Sequence, residues 1–238
     1  MNVLKKISII VLTGLFAILP IRCALSHSCV LKPLSTEQVK KIIADSHFNP
    51  SFQISATPPV VKQINYIRSH HGRLLLEQES LKRMQRYESI ILAELHKQKL
   101  PKELLAIPLI ESSYKVVSSR KNLNRPMGIW QIVPGTARRF GLTVNARQDD
   151  RLNIQRSSAA ALTYLNKMYK KFDNWMLAVM AYQYGEKKIE KLVRTQKTKN
   201  VWVLAKSSSA PKNFTTMLMI FDVTAILINN PSLVCLHY

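Results

Sequence analysis

No stretch of this chain alternates apolar and polar residues for any length, so a sheet has nothing to build on. From Val60 onwards apolar side chains instead recur every three or four residues, the spacing that places them on one face of a helix. The clearest case is 154–172, with Leu162, Leu165, Met168, Tyr169 and Phe172 in register. Residues 75–98 carry Leu81, Met84, Ile91 and Leu95 on one stripe with charges opposite. Asn174 is a good N-cap for a helix over 175–184, which Gly185 stops. Further helices fit near 186–195 and 213–229, with Pro231 beyond the last. The fold class is all-α.

The segment 104–110 reads Leu-Leu-Ala-Ile-Pro-Leu-Ile, and the next position on the stripe of Leu104, Ile107 and Pro108 is Glu111. A helix this apolar is buried, so it delivers a carboxyl group into a poorly solvated place. Burial penalises the ionised form and raises a carboxyl pKa, as a general acid working near neutral pH requires. The alternative is a helix-end glutamate facing solvent, the common fate of glutamates. Pro101 suits the first turn of this helix, and Pro108 is expected to bend it or tighten its last turn. Residues 115–133 lack a long period and read as a loop. Pro134-Gly135-Thr136 reads as the start of a short helix.

The N-terminus has the pattern of an export signal. Lys5 and Lys6 precede a mostly apolar run over 7–19, Pro20 ends it, and Ala24-Leu25-Ser26 offers small residues for cleavage before His27. Residues 1–26 are therefore read as a signal peptide, with an uncleaved membrane anchor as the alternative. The expected location is the periplasm or cell envelope. Arg22 before Cys23 fits a lipid-attachment box poorly. Cleavage leaves Cys29 and Cys235, which in an oxidising compartment either pair across the termini or stay as two thiols. Residues 27–58 read as a leader and linker: Ser35-Thr36-Glu37-Gln38 has capping-box spacing for a short helix to Ala44, and Asn49-Pro50 and Pro58-Pro59 punctuate a loop-rich stretch. Residues 59–231 form the helical domain and 232–238 a tail.

Lys and Arg number 35 against 14 Asp and Glu, a formal net charge of +21. Such a surface calls for a polyanionic partner. The export signal argues against nucleic acid and favours murein or other anionic envelope polymers. The basic residues are spread along the chain, so the charge also fits a generally basic proteome. No Cys/His cluster has metal-ligand spacing, and the adjacent His70 and His71 cannot share a helix face. No metal is expected.

Three blocks occur in order: Glu111-Ser112-Ser113-Tyr114, then Gly128-Ile129-Trp130-Gln131-Ile132-Val133-Pro134-Gly135-Thr136-Ala137, then Ala181-Tyr182-Gln183-Tyr184-Gly185. Together they resemble the lytic transglycosylase branch of the lysozyme-like superfamily, nearest to the membrane-bound lytic murein transglycosylase D group but without C-terminal carbohydrate-binding repeats. The resemblance spans residues 60–230. It implies a lysozyme-like domain with an N-terminal helical extension. It also implies cleavage of the MurNAc–GlcNAc β-1,4 bond of peptidoglycan glycan strands with formation of 1,6-anhydro ends. Glu111 then serves as both acid and base, with no metal, organic cofactor or protein nucleophile. Gly128, Trp130 and Gln131 match the segment lining the sugar cleft, Trp130 offering a face for a pyranose ring, with a core tryptophan as the alternative. Tyr182 and Gln183 match a further substrate-binding block, and Asp149 and Asn153 a structural element before the long helix.

The chain also departs from that pattern. Gln183 stands where the family has Asn. Arg120 stands where it has a serine, with Ser119 one residue earlier. Phe214 stands where a tyrosine faces the glutamate. Ser119 and Phe214 are thus expected beside the acid. Two alternatives follow: a murein-binding protein of the same fold with impaired catalysis, or a goose-type lysozyme-like hydrolase, which needs a second carboxylate to activate water.

Overall fold

A computed structural model describes residues 31–119 and 122–236. Among them lie ten α-helices and no strand: α1 Thr36–Asp45, α2 Pro58–Ser69, α3 His71–Gln98, α4 Ala106–Ser112, α5 Pro134–Arg139, α6 Ile154–Phe172, α7 Trp175–Tyr184, α8 Glu186–Gln196, α9 Val201–Leu204 and α10 Phe214–Asn229. The all-α class is as expected.

The centre is α7. Residues 175–181 are all buried, and a helix apolar on every side must be packed on every side. α6 lies against α7 and α3, while α10 lies against α4, α2 and α7. Local chemistry sets these helix ends. Asn174 accepts from Leu177 N at 2.9 Å, so the predicted cap is a true N-cap, and Asn153 caps α6 in the same way through Arg156 N at 2.9 Å. The predicted stripe of α6 is inside, with Leu162, Leu165 and Met168 fully buried. Tyr169 stacks on Trp175 with centroids 4.1 Å apart.

The expected leader and linker differs from what is found. Residues 31–58 contain the predicted capped helix, with Ser35 and Gln38 forming the box, but the rest is a strap packed on the core. Phe52 is fully buried and stacks on Trp175 at 6.1 Å and Phe221 at 5.3 Å. Asn49 N donates to the buried Glu103 carboxylate at 2.7 Å, and Ser55 N to Asp222 at 3.2 Å. Proline punctuation marks turns, and a turn can be as well packed as a helix. The tail is likewise docked: Leu233 O accepts from Arg68 and Val234 O from Gln78, both at 2.8 Å. Cys235 is disulfide-bonded. Cys29, the other half of the expected pair, lies outside the described residues, as do the expected signal peptide and Arg120. No described helix is long and apolar enough to cross a membrane.

Pro108 corrects a local expectation. A 3-10 turn over Lys102–Leu105 precedes α4, and the helix starts at Ala106. Pro108 thus falls in the first turn, where a backbone N–H has no intrahelical acceptor to lose.

Candidate active site

Glu111 stands one residue before the end of α4, whose Ala106, Ile107, Pro108 and Leu109 are buried. The helix is stopped by two consecutive left-handed residues, Ser113 (φ 52°) and Tyr114 (φ 58°), a conformation that costs a non-glycine residue about 1–3 kcal/mol. Neighbouring contacts hold it. Ser113 N reaches Leu109 O at 2.9 Å and Tyr114 N reaches Pro108 O at 3.2 Å. Arg83 of α3 donates to Ser113 O at 2.8 Å, and the Tyr114 hydroxyl to Leu105 O at 2.9 Å. The C-terminal end of α4 is therefore a rigid mount.

The Glu111 side chain keeps some accessible surface, yet its carboxyl is surrounded by protein. Burial raises its pKa from the ordinary 4.5 to about 7, against the opposing effect of a hydrogen bond donated by Gln183 Nε2 to Oε1. Gln183 lies near the end of α7, so the two helix ends meet at the carboxyl. Beside Gln183, Tyr182 donates to Trp130 O at 2.6 Å. Burial pushes its phenol well above the usual value, and the nearby Glu111 and Tyr164 act in the same direction.

The third wall is the segment after the 115–126 loop. Met127 and Ile132 pair across a tight turn, and Gly128 N donates to Val117 O at 2.8 Å. The Ser112 hydroxyl, next to Glu111, donates to Ile129 O at 2.8 Å. The expected stacking of Trp130 on sugar is corrected here. Trp130 is fully buried and its indole N–H donates to Ser158 at 2.9 Å, so its faces are not open to a pyranose ring. Gly128 (φ +76°) does permit a close backbone approach, but to Arg151: a Cβ there would lie 1.9 Å from Arg151 O. Gln131 is half-buried and turns its amide onto Gly128 O at 2.7 Å.

The remaining expected neighbours divide. Tyr182 and Gln183 are at the acid. Ser119 is half-buried, and its carbonyl accepts from Asn122 N at 3.1 Å. Phe214 is buried and stacks on Tyr184 at 5.8 Å. Neither makes a hydrogen bond or ring contact with Glu111 among the described residues. The other acids near the loop are occupied. Asp149 pairs with Arg151, whose hydrogen bonds hold its carboxyl below the usual range. Burial works to raise Asp150, but hydrogen bonds from Gln148, Thr143 N and Arg156 outweigh it and hold this carboxyl low as well. Sequence reading placed Ser112 in the glutamate block without its bond to Ile129 O, and missed Arg83 and Arg151 as builders of the site. Their partners lie 17 to 30 residues away, and no local pattern announces them.

An all-helical, lysozyme-like fold thus holds one glutamic acid, its pKa raised to about 7, at the junction of two helix ends and a loop. Residues 88–205 match the family described as the transglycosylase SLT domain, and this chain carries a domain of that family. It is similar to membrane-bound lytic murein transglycosylase D of two Escherichia coli strains, K12 and O6:H1, with 31% identity over 147 residues, 59% of this chain and 32% of each relative. A protein of Alteromonas sp. (strain M-1) named for tributyltin chloride resistance is 31% identical over 137 residues, 56% of this chain and 65% of that one. The chain thus matches 32% of the length of the E. coli relatives.

Proposed function

We propose that this protein is a peptidoglycan lytic transglycosylase that cleaves the MurNAc–GlcNAc β-1,4 bond and leaves 1,6-anhydro-MurNAc ends. The observation that carries the reading is Glu111, a carboxyl with a pKa of about 7 and Gln183 as its one hydrogen-bond partner among the described residues. Two-carboxylate hydrolysis needs a second acid about 5 to 10 Å from the first, and Asp149 and Asp150, which adjoin the 123–132 loop through Arg151, are tied to Arg151 and Arg156. One acid suffices when the sugar supplies the rest. Protonated Glu111 gives its proton to the glycosidic oxygen as the C1–O bond breaks, and the neighbouring N-acetyl group carries the positive charge left on the sugar. The resulting carboxylate takes the proton from the sugar's 6-hydroxyl as that oxygen bonds to C1. Holding these groups together in one bound sugar is what makes an internal alcohol compete with water.

Export to the envelope and attraction to its anionic polymers belong to the same reading. Mass spectrometry of digested murein tests it. Anhydro ends are expected from wild type and a loss of about a thousandfold from Glu111→Gln, the scale of a general acid's contribution. Reducing ends would indicate a hydrolase instead. A second reading, binding without turnover, draws on the Gln183 amide that already occupies one carboxyl oxygen. It predicts pelleting with sacculi and no new ends of either kind.

A further inference from the structure

Arg151 is fully buried, and every N–H of its guanidinium is used. Nε and Nη2 donate to the two oxygens of Asp149 at 2.8 and 2.6 Å. Nη1 donates to Arg125 O at 2.7 Å and Ile132 O at 3.2 Å, and Nη2 to Leu123 O at 3.0 Å. Five donors therefore meet two carboxylate oxygens and three carbonyls, which exhausts the group. The three carbonyls all belong to the irregular segment 123–132. That segment supplies Ile129 O to Ser112 and Trp130 O to Tyr182, on either side of Glu111. Gly128, at its tip, rests against the main-chain carbonyl of the same arginine.

We propose that Arg151 is a positioning residue of the active site: with Asp149 it clasps the 123–132 loop and sets the wall beside Glu111. Lysine cannot replace it, because one ammonium has no planar fork to span a carboxylate and three carbonyls at once. Yet the helical core of α3, α6, α7 and α10 is packed largely by other side chains. The clasp therefore acts on loop position more than on the existence of the fold.

The inference rests on the lytic reading for its kinetic arm and on hydrogen exchange for an arm independent of it. In Arg151→Lys, the amides of Met127, Gly128 and Ile132 are expected to exchange at least tenfold faster, with α6 and α7 unchanged. On peptide-free glycan strands, KM is expected to rise several-fold and kcat to fall less. The alkaline limb of the pH profile, which belongs to Glu111 and Gln183, is expected to stay in place. Gly128→Ala, which presses on the same junction from the other side, is expected to give the same KM signature. A variant that loses melting temperature alone, with loop exchange and KM as in wild type when assayed well below its melting point, overturns the proposal and leaves Arg151 merely structural. Should Arg151→Lys not fold, Asp149→Asn keeps the arginine and removes the charge that orients it. The same signature at smaller amplitude is expected there, and unchanged loop exchange overturns the proposal. An inactive wild type sinks the lytic reading. The clasp is then judged by loop exchange and by binding to the same glycan, both of which must weaken in the variant.

Discussion

At the scale of single residues, Glu111 and Gln183 make opposed demands that experiments can separate. A folded-state pKa of about 7 against an ordinary 4.5 means that the folded protein holds the extra proton through that window. Stability therefore falls as pH rises from 4.5 to 7 and stays low above it, a cost of about 3 kcal/mol at most, reduced by the part of the side chain that water reaches. Glu111→Gln keeps the shape and removes the charge. We expect it to melt higher than wild type at pH 8, by about 2 kcal/mol of stability, and equally at pH 4. A thermal series across that range decides, and equal melting at both ends would mean that the carboxyl is not desolvated. Gln183 works the other way, since its amide favours the ionised carboxyl. Gln183→Ala should move the alkaline limb of the lytic rate to higher pH, as read from initial rates on sacculi. A downward move would place Gln183 on substrate instead of on the acid.

At the scale of elements, α10 carries two tests. Phe214, its first residue, stacks on Tyr184, whose buried hydroxyl has no partner among the described residues. A hydroxyl added at this buried position costs about 1–3 kcal/mol if unpaired, so Phe214→Tyr should lower the melting temperature without raising turnover. A faster rate would mean that the new hydroxyl reaches Glu111. Further along, Asp222 is fully buried and accepts from Ser55 N, and burial raises its pKa to about 8. Its contribution has the same sign as that of Glu111: stability declines as pH climbs from the ordinary carboxyl value towards 8. Asp222→Asn should flatten that decline and exceed wild type in melting temperature at pH 9. A steeper fall in the variant would show that the charge is wanted there. Helices were the legible part of this fold. The range of α6 and the N-cap at Asn174 follow from periodicity and side-chain chemistry that act within a turn. Trp130 was not legible, because a tryptophan stacked on sugar and one whose indole N–H meets Ser158 occupy the same sequence pattern. Nor was the packed strap at 31–58, whose anchor Phe52 meets Trp175 and Phe221 from more than a hundred residues away. Arg151 is the extreme case: an arginine that follows two aspartates looks solvated until three distant carbonyls converge on it.

At the scale of the whole molecule, what counts is where the charge is left over. Ten of the 14 acidic residues sit in ion pairs: Glu37, Asp45, Glu77, Glu79, Glu94, Asp149, Asp150, Asp173, Glu186 and Glu190. Of the other four, Glu103, Glu111 and Asp222 are occupied in the interior or at the site. Little negative charge remains free to face a partner, so lysine and arginine dominate the charge that the described residues present outward. Lysine and arginine are spread along the chain rather than clustered in one stretch, a pattern better matched to long-range attraction to a polyanionic sheet than to one tight anion pocket. Such attraction is screened over about 10 Å at 0.1 M ionic strength and about 3 Å at 1 M, whereas hydrogen bonds from a groove to uncharged sugar are hardly touched by salt. Binding to intact sacculi should therefore weaken at least tenfold between 0.05 and 0.5 M sodium chloride, on the order of the loss expected when several charge contacts are screened. Binding of short GlcNAc oligomers, which carry neither stem peptides nor the lactyl carboxylate of MurNAc, should change little over the same range. Co-sedimentation and oligomer binding measured in parallel separate the two contributions. Sacculus binding that ignores salt would place recognition in the cleft beside Glu111 and leave the basic surface without a part in it.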